Sequence, residues 1–192
     1  MFIDFLTLMM INLVAGTALL AHFIWKGMDQ EDKRAYAVGF GMVGVIALIT
    51  GFRMAFTWPL PGSYNIAFGE STVLFGIVFL GAAVSLALNW DLMPVAIYAL
   101  FAGFEALLVG IRIISLGLTK EPLASGLGFI IAGIGGLAAA PLLRSLKNNK
   151  LIRFLVIAGL LVGTAFWAFT FYNSLWGHLE SFSSWVPATM GQ

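Results

Sequence analysis

Two arginines set into apolar runs are the first residues of this chain with the means to do chemistry. Arg53 closes the run GVIALITGFR and Arg112 closes GFEALLVGIR, 59 positions later. The two runs match at Gly44/Gly103, Ala47/Ala106, Leu48/Leu107, Gly51/Gly110 and Arg53/Arg112. A charge kept inside an apolar segment is costly, and by default it marks function. If the repeat sets both arginines at one depth, two guanidiniums facing one site could clamp a carboxylate, a phosphate or a lipid head group. The plainer reading is that each snorkels outward or pairs with an acid, Glu70 for Arg53 and Glu105 or Glu121 for Arg112. Glu105 is the deepest acid, about two helical turns inside Arg112. A carboxyl group there suits a proton relay or one half of an internal ion pair.

Between the two arginines lies the run FTWPLPGSYNIAFGE, Phe56–Glu70. Its prolines and aromatics make a stiff, nearly uncharged loop, better suited to a preformed surface than to a mobile lid. Trp58, Tyr64, Asn65 and Glu70 therefore join Arg53 and Arg112 as candidate ligand-binding residues. His22 and His178 are the only histidines. They are the weak candidates for haem or metal, because a bis-histidine haem needs both ligands on one iron and no metal-ligand spacing surrounds either one. No cofactor is implied by any motif. The methionines are scattered rather than paired, and cysteine is absent, which removes disulfides, thiolate metal sites and thiol nucleophiles. No catalytic triad or phosphate loop appears, so the reading leans away from an enzyme.

The elements that must carry these residues are membrane spans. Mean hydropathy is +0.98, with 60% apolar and 10% charged residues, against about 25% charge in soluble domains. A net charge of +1 and the lack of a basic, aromatic-interleaved patch exclude nucleic acid as a partner. Runs of about 20 apolar residues each cross a bilayer, and six are present, at roughly 5–25, 35–56, 71–89, 92–114, 123–143 and 154–172. The expected fold is all-α, a single polytopic transmembrane domain. Spans two and three and spans four and five form hairpins related by a parallel pseudo-repeat, and Ala168-Phe169-Thr170 in span six faintly echoes Ala55-Phe56-Thr57. Glycines of spans three and five are expected at close helix contacts, and Asn12 in an interhelical hydrogen bond. RSLKNNK reads as a basic loop. Residues 173–192, with Leu175, Trp176, Leu179, Phe182 and Val186 near helical spacing, read as a short interfacial helix.

The loops after spans one, three and five hold Lys26, Lys33, Arg34, Arg144, Lys147, Lys150 and Arg153, against Arg53, Arg112 and Lys120 on the other side. The positive-inside rule then places both termini and the proline-rich loop outside the cytoplasmic membrane. The start of the chain, MFIDFLTLMM, carries Asp4 and no basic region, so the first apolar run reads as a retained span.

The runs FTWPLPGSYNI with Glu70, and GLTKEPLA at Gly117–Ala124, resemble the signature of domain-of-unknown-function family 981, multi-pass membrane proteins of archaea and bacteria. The resemblance extends over most of the six spans and implies a small helical membrane fold and no particular activity. If the loop matters to the family, the residues carried over are Trp58, Pro59, Pro61, Gly62, Tyr64, Asn65 and Glu70. Three functional classes follow. The first is a non-enzymatic membrane subunit or binding module, with a lipid, quinone, anionic-ligand or partner site on the outer face. Its partners would be the bilayer and a second copy or a larger membrane complex. The second is a small transporter or channel for an anion or a proton-coupled solute. The third is a haem- or quinone-binding redox protein.

Overall fold

The computed structural model describes residues 5–185. Six helices follow one another: α1 (Leu6–Trp25), α2 (Arg34–Thr57), α3 (Ser71–Ala87), α4 (Met93–Leu116), α5 (Pro122–Asn148) and α6 (Lys150–Ser181). All six segments are long and apolar enough to cross a membrane, the third counted from Asn65. No strand occurs among the described residues. The loops after α1, α3 and α5 define a basic end, and those after α2 and α4, with the start of α1 and the finish of α6, a proline end.

Three tight pairs make up the bundle: α2 with α3, α4 with α5, and α6 with α1. Looser seams join α1 to α2, α3 to α4 and α5 to α6, and the ring closes. Glycine sets the first two pairs. A Cβ added to Gly44 would lie 3.0 Å from Gly76 O and 2.7 Å from Leu80 N, and one on Gly51 3.0 Å from Gly69 O and 2.9 Å from Val73 N. On α4, Gly103 would meet Gly133 O at 2.7 Å and Leu137 N at 2.6 Å, and Gly110 would meet Gly126 O at 2.6 Å and Ile130 N at 2.9 Å. Each glycine thus meets a carbonyl and the amide four residues beyond it, in both hairpins. Backbones approach this closely only where side chains are missing, and dispersion then holds helices together without a hydrophobic drive. The matched residues of the second helices are 57 positions apart instead of 59, because the loop at 117–121 is two residues shorter than that at 58–64.

The third pair joins the chain's two ends. Thr17 and Thr164 share a hydrogen bond of 2.9 Å at mid-height. At the basic end the side chain of Arg153, largely buried, donates to Ile24 O (2.6 Å) and Trp25 O (2.9 Å) and pairs with Asp29. These are carbonyls of the last turn of α1, which a helix leaves without partners, so a cation there serves as both cap and dipole partner. Asn12 donates to Val43 O across the α1–α2 seam, 2.9 Å.

Three boundaries differ from the expectation. The proline-rich loop ends at Tyr64, because Asn65–Glu70 is already a π-helical lead into α3. RSLKNNK is not a loop: α5 continues to Asn148, and only Asn149 separates it from α6, its side chain accepting from Leu151 N and Ile152 N as an N-cap. Leu, Arg and Lys are good helix formers, whereas asparagine competes for the backbone and prefers caps. At the far end α6 runs unbroken to Ser181, so residues 173–181 of the expected separate tail are its last turns. Residues 186–192 of that tail, Val186 among them, lie outside the described residues, as does Asp4.

Aromatic rings fill the interior. Towards the basic end Phe23, Phe40, Phe79 and Phe75 contact one another in turn. Towards the proline end a second chain runs from Tyr64 through Phe68, Phe129 and Trp167 to Phe171. The Trp167 ring lies against Gly128, where a side chain would collide with it.

Candidate functional site in the seam between α3 and α4

Glu105 stands at the middle of α4, on the face turned to α3. Ser71, first residue of α3, donates its hydroxyl to Glu105 Oε1 at 2.8 Å. Glu105 Oε2 is buried and has no hydrogen-bond partner. Glu70 precedes Ser71 in the chain and is exposed. The chain enters α3 through a π-helical segment, Asn65–Glu70. Wide turns of this kind are uncommon and frequently accompany functional sites. A carboxyl group half satisfied at mid-span is an expensive feature to retain, since a buried polar group without a partner costs roughly 1–3 kcal/mol.

The arginines behave differently from the ion pairs expected of them. Arg53 and Arg112 are both exposed, and among the described residues neither joins an acid. The only two ion pairs there are Arg34–Asp32 and Arg153–Asp29, both at the basic end. The Arg34 guanidinium holds the exposed Asp32 carboxyl below its usual range. Arg112 reaches only Ser115 Oγ, on its own helix, at 3.4 Å. Seven residues make about two turns and about 10 Å of rise, so Arg112 lies on the Glu105 face of α4, nearer the proline end. Arg53 belongs to α2, which packs along α1 and α3 rather than along α4.

Two of the loop candidates are engaged by the fold itself. Asn65 is fully buried. Its side chain accepts from Leu60 N (3.0 Å) and donates towards Leu60 O (2.5 Å) and Gly62 O (3.1 Å), holding the turn closed. Tyr64 stacks on Phe68 as the first ring of the interior chain. Trp58 caps α2 in a left-handed conformation (φ 47°) and is half exposed. Glu70 is exposed.

The histidines stand at opposite ends of α1. His22 Nδ1 lies 2.9 Å from the Tyr36 hydroxyl near the basic end, while His178 Nδ1 lies 3.1 Å from Thr7 Oγ1 near the proline end. Thr7 and His22 are fifteen positions apart, about 22 Å of helix, far beyond what one iron bridges. Among the described residues no three His, Asp or Glu side chains stand together as a metal site.

Residues 1–181 match the family model described as Protein of unknown function (DUF981). The chain belongs to that family. No curated protein and no solved structure matches it. In this DUF981 member the structure brings Glu105 together with Ser71 and leaves Arg53 on a different hairpin. Sequence reasoning missed Ser71. Hydroxyls near the start of an apolar helix are common, and the one sign of its role was an acid 34 positions away with no local partner.

Proposed function

We propose that this protein is a small proton-coupled membrane transporter in which Glu105 carries the proton. The observation that supports this reading is the half-satisfied carboxyl group of Glu105, at mid-span and in the seam between the two repeated hairpins. Secondary transporters built from repeats bind substrate and coupling ion near the midplane, at the repeat interface. The α2–α3 and α4–α5 hairpins are each tightly joined by glycine contacts and meet each other along a looser seam. That division suits rigid-body rocking of one hairpin against the other. With aromatic rings filling the ring's axis, a route for protons or solute runs along the seam. In proteoliposomes containing a pH dye, an imposed potassium-diffusion potential should drive proton entry in the wild type. Glu105→Gln keeps the Ser71 hydrogen bond but cannot ionise, and should reduce that entry at least tenfold. Entry at more than half the wild-type rate would remove Glu105 as the carrier.

The outer-face binding module is the second reading. Arg53 and Arg112 occupy equivalent places in the two hairpins, and neither has an acid partner among the described residues, which suits contact with lipid phosphates or an anionic partner.

The same proposal places the basic end in the cytoplasm, following its seven basic residues against three. Because the chain has no cysteine, single substitutions report topology cleanly. Gly62→Cys should react with a membrane-impermeant maleimide in intact cells and Asn148→Cys only after permeabilisation. The opposite pattern inverts the orientation.

A further inference from the structure

The seam's chemistry extends beyond the proton. We propose that the solute moving with it is a small oxyanion, carboxylate or phosphate, and that Arg112 is the residue that receives it; this rests on Glu105 being the proton carrier. Arg112 lies about two turns from Glu105 on the same face of α4, towards the proline end. It is exposed, and its one side-chain contact is a long hydrogen bond to a neutral serine of its own helix. Arg153 and Arg34, by contrast, are each held by an aspartate. Arg112 has Glu70, Glu105 and Glu121 on its side of the molecule and pairs with none of them. A guanidinium offers parallel donors that match two oxygens of a carboxylate or phosphate, so an unpaired one is a ready anion site.

Glu105 supplies the coupling. An anion held at Arg112 is repelled by ionised Glu105, about two turns away on the same face of α4. Once Glu105 takes up a proton, that repulsion disappears. Binding of the anion and of the proton therefore favour each other, as linked equilibria require. No bond to carbon or phosphorus forms or breaks; one proton and one anion enter the seam together.

Arg53 provides a control within the molecule. It holds the equivalent position in the other hairpin, with the same residue type and exposure, but its helix does not line this seam. The test uses the proteoliposome assay at constant ionic strength, with sodium lactate or sodium phosphate added outside and protein-free vesicles giving the leak. The expected result is that one of the two anions speeds lumen acidification at least fivefold for the wild type and for Arg53→Gln, and not for Arg112→Gln. Arg112→Lys keeps the charge and loses the fork, and should raise the half-saturating anion concentration several-fold with a similar maximal rate. Melting temperature and elution volume in detergent show that each variant is folded. If neither anion acts, or if Arg112→Gln responds like the wild type, the anion proposal is overturned while the Glu105 reading stands. If Glu105→Gln leaves proton entry intact, the coupling fails at its root, and the anion proposal with it.

Discussion

Gly103→Ala is expected to destabilise the protein by about 2 kcal/mol or more, and Gly103→Leu to prevent recovery of folded material. The new Cβ would sit 2.6 Å from Leu137 N and 2.7 Å from Gly133 O. These are backbone atoms, so no side chain can swing aside, and α4 and α5 must separate. Separation costs dispersion contacts along both helices, and the bilayer supplies no hydrophobic force to restore them. Gly44→Ala, which meets Leu80 N at 2.7 Å, should behave alike, because it occupies the same place in the other hairpin. Gly135 supplies the contrast, since no atom stands within 4 Å of its added Cβ. Gly135→Ala should be neutral, or stabilising by up to about 1 kcal/mol through reduced backbone freedom. Thermal melting of the three alanine variants in one detergent decides the matter. Equal melting temperatures would mean that the repeated glycine contacts do not hold the hairpins.

What the amino-acid order revealed and what it concealed divide along physical lines. Hydropathy shows which stretches enter a membrane, so the six spans were legible. The repeat was legible as well, because close approach of two backbones demands glycine and little else, leaving Gly44/Gly103 and Gly51/Gly110 in register. Of the span-five glycines expected at contacts, Gly128, Gly133 and Gly136 make them, whereas Gly135 faces open space. The neighbours of polar groups were harder to read. Glu105 meets Ser71 rather than an arginine, and Arg153 reaches back to the finish of α1, because such partners are chosen by how helices assemble. The expected clamp of Arg53 and Arg112 rested on repeat symmetry alone. Symmetry sets the two arginines on equivalent helices of different hairpins, and the seam that holds Glu105 borders only one of them. Helix boundaries near α5 and α6 were misread for a local reason: charge in RSLKNNK suggested a loop, although lysine, arginine and leucine all favour helix.

The signature loop gives the other large effect, and it separates a structural asparagine from a ligand-binding one. Asn65 is fully buried, and its three side-chain hydrogen bonds go to the backbone of Leu60 and Gly62. Asn65→Ala removes them and leaves one amide and two carbonyls to find partners at the loop, a loss of roughly 2 kcal/mol. Asn65→Asp keeps the acceptor for Leu60 N but turns the donating nitrogen into an oxygen aimed at two carbonyl oxygens. At pH 7 this repulsion adds to the lost bonds, so the aspartate variant should melt below the alanine variant despite its closer shape. Lowering the pH to about 4 returns a proton, hence a donor, and should recover part of the loss for Asn65→Asp alone. The sign follows from linkage: the folded state holds the protonated form better, so stability is present at low pH and falls as pH rises. A ligand role predicts another pattern, in which both variants melt like the wild type and lose only a bound molecule or a transport rate. Melting curves of the three proteins between pH 4 and pH 8 distinguish the two, and an aspartate variant as stable as the wild type at pH 7 would sink the structural account. The outcome also bears on the transport proposal. The loop that Asn65 closes leads directly into the π-helical segment, which ends at Glu70, next to the Ser71 that bonds Glu105.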